Sequence, residues 1–109
     1  MAKQITSPVD KFPGSVTLYD PLTFPHVIAF QDAVNAVIDM GETTWSKLRY
    51  EILGGIIPCV ESWDLEGIPE KPTADTFPAT PLGASGELVE WLQEEITLLL
   101  TDAETVPNV

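Results

Sequence analysis

A chain of 109 residues is long enough for one modest hydrophobic core and too short for two. Its 44% hydrophobic content suits a soluble folded chain; no apolar run approaches the roughly 18 residues of a membrane span, and Met1 to Pro8 carries one lysine with no apolar stretch behind it, so no secretory signal is read there. Seventeen acids against five bases give a formal net charge of −12, a field that repels phosphates and argues against direct nucleic-acid binding. The charge is uneven. Residues 1–60 hold six acids and four bases, and residues 61–109 hold eleven acids against Lys71 alone.

In chain order, residues 1–23 contain Pro8, Pro13, Gly14 and Pro21 and read as an extended arm. Val16 and Leu18 alternate with polar neighbours, which fits a short strand around Ser15 to Tyr19 as well as a tail laid over helices. Residues 24–60 read as two helices. Thr23 is a hydroxyl N-cap followed by Pro25 in the first turn, and Val27, Phe30, Val34, Val37 and Ile38 recur at helical spacing until Gly41. Thr43 or Thr44 caps the next helix, where Trp45, Leu48, Ile52 and Ile56 form one stripe. Gly54-Gly55 weakens that helix or permits a tight crossing, and Pro58 ends it.

Residues 61–83 read as a proline-rich loop. Pro58, Pro69, Pro72, Pro78 and Pro81 each fix φ and remove a backbone donor, so no long helix crosses the segment. After Pro81, Ser85 is a suitable cap, and Leu88, Trp91, Leu92, Ile96 and Leu99 mark a helix from about 85 to 102, inside a C-terminal helical segment 84–103. Residues 104–109 are left as a tail. The expected fold is a single mainly α domain: about three amphipathic helices, an extended N-terminal arm and a proline-rich connection, with a short β-hairpin left open.

No reaction is written in these residues. Cys59 is the only cysteine and His26 the only histidine. No intramolecular disulfide, zinc cluster or nucleophile with a partner follows from them, and Cys59 beside Ile56, Ile57 and Val60 reads as a buried, inert thiol. Glu90, Glu94 and Glu95 fall on a face that periodicity places in solvent, not across a cleft. Asp64, Glu66 and Glu70 around Gly67 miss the spacing of a calcium loop, and Gly54-Gly55 lacks the lysine of a phosphate loop. The chain therefore reads as no enzyme, with no cofactor and no metal.

Binding to proteins is the remaining reading. Trp63, Leu65, Ile68 and Phe77 are apolar residues in a segment that cannot be a regular helix, and they are the candidate partner-binding residues. Their alternative role is to fold back over the helices and close the core. Trp45 and Trp91 sit on helical apolar stripes and are expected inside.

Three segments carry a resemblance. Pro13-Gly14-Ser15-Val16-Thr17-Leu18 with Asp20-Pro21-Leu22 leads into the first helix, Val60 to Pro69 with Trp63 and Gly67 follows the second, and Leu88 to Leu100 supplies the last. This order resembles the tail assembly chaperones of long-tailed bacteriophages, over roughly residues 13–100. The resemblance implies a non-enzymatic factor of the host cytoplasm that binds the tape measure protein and helps tail tube subunits polymerise around it. It leaves homo-oligomers open. A virion connector component and an acidic DNA-mimic inhibitor are the two other classes compatible with the composition.

Overall fold

The computed structural model describes residues 2–68 and 70–104, the side chains of 102–104 excepted. The element order is β1 (Ala2–Thr6), β2 (Gly14–Tyr19), α1 (Phe24–Asp39), α2 (Trp45–Ile56), a 3-10 turn (Ile57–Cys59), β3 (Val60–Leu65) and α3 (Leu82–Glu104). The expected mainly α domain is corrected to a mixed α/β fold: three helices and a three-stranded antiparallel sheet in the order β1-β2-β3. α1 and α2 stand where periodicity placed them, whereas α3 opens at Leu82, so Ser85, expected as its cap, lies inside the first turn with its N–H on the Pro81 carbonyl. The tail assigned to 104–109 lies, beyond Glu104, outside the described residues.

The sheet escaped the sequence reading for two physical reasons. β1 has one strongly apolar inward residue, Ile5, which pairs with Val16 across the hairpin, and so shows little alternation of its own. In β3 the pairing slips between Thr17 and Leu18: Thr17 faces Ser62 while Leu18 faces Val60, so Glu61 is the extra residue of a bulge. Val60 and Trp63 thus both point inward although three residues apart, which breaks the period-two signal. The proline-rich loop assigned to 61–83 accordingly begins only after Leu65. Gly14 opens β2 opposite Leu65 of β3, with φ of 130°, and its Cα lies so close to the Asp64 carbonyl that a Cβ would collide with it.

The helices start as their caps dictate. Thr23 N–H donates to His26 Nδ1 at 3.1 Å, closing a capping box for α1, and the half-buried His26 ring stacks on Tyr19 at 4.6 Å. Thr44 Oγ1 accepts from Lys47 N–H at 3.2 Å to start α2. α2 crosses α1 at Gly55, where an added Cβ would meet Ala33 Cβ at 2.7 Å and the Ala29 carbonyl oxygen at 2.8 Å. The glycine pair serves a tight crossing. Cys59 lies directly beyond it, fully buried, with its thiol 3.5 Å from the Gly55 carbonyl oxygen; burial pushes its pKa up to about 11.

One core runs through both layers. Leu18, Ile56, Val60, Leu88, Leu92 and Ile96 are completely buried, from sheet, α2 and α3 alike. Among the described residues, Lys3 reaches Glu95 at 3.9 Å and Arg49 reaches Glu90 at 3.6 Å.

Candidate protein-binding groove

The four residues singled out for partner binding all face inward. Trp63 is 8% exposed, Leu65 3%, Ile68 4% and Phe77 8%. β3 turns Trp63 and Leu65 toward the core, Ile68 bridges back to Leu65, and the Phe77 ring meets Trp63 edge-on at 6.0 Å. The segment after β3 is tied to the body at several points. Lys71 Nζ donates to the Val60 carbonyl at 2.7 Å, Tyr50 Oη donates to Asp75 at 2.7 Å, and Ser85 Oγ donates to the Pro78 carbonyl at 2.6 Å. These side chains close the domain's own core, the alternative role open to them.

Trp45 is the reverse case and a correction: expected inside, it is 69% exposed. Periodicity fixes the face on which a residue lies, not how far along the helix the neighbour reaches. Trp45 is the first residue of α2, where the stripe overhangs its cover. Trp91 is partly buried against the core.

Around Trp45 lies a groove walled by all three helices. Its centre is a hollow of about 260 Å³ lined by Val34, Val37 and Ile38 of α1, Trp45, Leu48 and Ile52 of α2, and Val89, Glu90 and Gln93 of α3. A second hollow of about 480 Å³ shares Val34 and Gln93 and continues between α1 and α3 to Leu100. A third of about 450 Å³ shares Glu90 and Gln93 and runs over Glu94 and Thr97 to Leu98. The first two hollows lie between helices, and the third, lined by α3 alone, adjoins them across Glu90, Gln93 and Thr97. Ile38 at 70% exposure stands on the interhelical groove with Trp45, and Leu98 at 50% stands on the α3 face beside it. Two large apolar side chains thus border a groove floored by half-buried valine and leucine, with a third alongside.

Arg49 bounds the groove on one side. Its guanidinium lies 5.7 Å from the centre of the Trp45 ring, pairs with Glu90, and rests against the Cα of Gly86, where any Cβ would collide with it. Beyond Arg49 is a smaller hollow of about 100 Å³, roofed by Tyr50, Phe77, Pro78 and Leu82. Asp75 accepts the Tyr50 hydroxyl and raises the phenol's pKa, first through that hydrogen bond and then through its charge.

The sequence reading missed Ile38, Trp45 and Leu98. A usable signal existed in α1: Phe24, Ile28 and Ile38 cannot share one buried arc with Phe30 and Ala33, so some apolar residues had to face out.

The groove presents mainly apolar side chains, with Arg49, Glu90 and Glu94 as its charged neighbours. Among the described residues no group of three or more His, Cys, Asp or Glu side chains is placed to hold a metal ion, and no helix is long and apolar enough to cross a membrane. A scan of protein-family models, a search of curated proteins and a search of solved structures each find no match to the chain.

Proposed function

We propose that this chain is a non-enzymatic assembly chaperone of the kind that serves the tails of long-tailed bacteriophages. It holds an apolar segment of the tape measure protein in the α1–α2–α3 groove, in the host cytoplasm, until tail tube subunits polymerise around that protein. The observation that carries the reading is the helix-walled groove with Ile38 and Trp45 left exposed on it and Leu98 exposed on the α3 face beside it. Such a surface is a liability for a chain with nothing to bind and a use for one that shields a client. The order of segments that resembles the tail chaperones supplies the client's identity. A connector role would call for a proline-rich arm that reaches a neighbouring subunit, whereas here that segment is bonded to its own domain.

Co-expression with the tape measure protein, followed by purification of the complex, tests the proposal. The chaperone reading expects the client to co-purify and this chain to be missing from washed mature virions. Recovery of the chain in washed virions would overturn it.

A further inference from the structure

We infer, resting on the client-binding reading above, that the groove is built for one class of partner: a basic amphipathic α-helix that lies along α3 and sets its lysines or arginines against Glu90 and Glu94. Three observations lead there.

The first is backbone chemistry. Every lining residue of the interhelical groove and of the α3 face beside it belongs to α1, α2 or α3, so their walls present side chains and no free strand edge. An extended peptide seated there would leave its own N–H and C=O groups without partners, whereas a helix arrives with them satisfied internally. The second is dimension. From Val89 to Leu100 the wall supplied by α3 runs about 17 Å at 1.5 Å per residue, which is about three turns of a helix packed alongside.

The third is charge. The ionised side chains lining the three hollows are Glu90, Glu94 and Arg49, and Arg49 is already paired with Glu90. Glu94 is exposed and makes no hydrogen bond or ion pair with the described residues. The rim is therefore net acidic, on a chain of net charge −12. A second copy of the same chain meets like charge there, and a cationic helix meets the opposite charge.

Two model helices of roughly 18 residues test this, long enough to cover three turns with margin. They share one leucine face and differ only in carrying lysine or glutamate on the other. Binding of each to the full chain is read by fluorescence anisotropy at low and at raised salt. The expected result is that the Leu/Lys helix binds, the Leu/Glu helix does not, and salt weakens the complex. Glu94→Lys should weaken the Leu/Lys helix about tenfold and admit the Leu/Glu helix, with the circular dichroism of the chain unchanged. Trp45→Ala should weaken binding of the Leu/Lys helix as well, because the apolar half of the contact is lost.

Equal binding of both helices would overturn the inference, as would binding that survives Trp45→Ala, since that is diffuse attraction to an acidic chain. Failure of both helices to bind would overturn it too. So would self-association of the chain that Trp45→Ala abolishes, because a second copy would then fill the groove. Co-purification of the tape measure protein is a separate readout: it can succeed while the charge rule fails, and then only the inference falls.

Discussion

Trp63 and Trp45 carry the same side chain into opposite surroundings. Trp63 stands in a proline-rich, acidic stretch that looks as if it should reach outward, and it is buried under Phe77. Trp45 stands on a regular helical stripe that looks like core, and it is exposed beside Ile38. Prolines forbid helix but leave a bulged strand free to form on an edge, and the strand then turns its apolar residues inward. A helical stripe longer than its cover leaves its end in solvent. The irregular region therefore closes the domain, and the regular one leaves exposed the apolar surface on which the proposed client would sit.

The sharpest way to break this comparison is to truncate each tryptophan. Trp63→Ala should cost about 3–5 kcal/mol of stability, the usual cost of emptying a large aromatic from a core, read by denaturant unfolding. Trp63→Phe should cost much less, because it keeps a ring against Phe77 and removes an indole N–H that is buried without an acceptor among the described residues. Trp45→Ala should change stability by no more than about 1 kcal/mol, since it loses partial packing and one cation–π contact with Arg49.

Next in size is the crossing that holds the groove's walls together. Gly55→Ala pushes a methyl group into Ala33 and the α1 backbone, where the close atoms are not flexible tips, and should cost about 1–3 kcal/mol in the same unfolding experiment.

Two titrations then report on buried and strapped groups. Burial pushes the Cys59 thiol up to about 11 in the folded chain from an ordinary value of 9.0, so as pH rises past 9 the unfolded chain gives up the proton first. Stability should accordingly fall between about pH 9 and pH 11, and Cys59→Ala should reduce that fall; at neutral pH the native thiol should resist alkylation until the chain unfolds. The smallest effect belongs to Tyr50. Its phenol should titrate above the ordinary value and return toward it in Asp75→Ala, followed by phenolate absorbance, because both the hydrogen bond and the negative charge are removed.

Much of this architecture was legible in the sequence, and its failures have causes. Helix caps at Thr23 and Thr44 and the stripes of α1, α2 and α3 were readable because local chemistry fixes them. β2 was half readable from Val16 and Leu18. β1 and β3 were not, because one lacks apolar alternation and the other hides it behind the bulge at Glu61. The groove was hidden for a different reason. Whether Ile38, Trp45 and Leu98 are covered depends on how three helices are staggered, and stagger is a tertiary property that no single stripe encodes.

The most direct test of the account is the amount of tape measure protein that co-purifies with Trp45→Ala relative to the unaltered chain, with the unfolding midpoint measured alongside. The account predicts that the client is lost while the midpoint stays within a few degrees. Full retention of the client by a folded Trp45→Ala chain would contradict it.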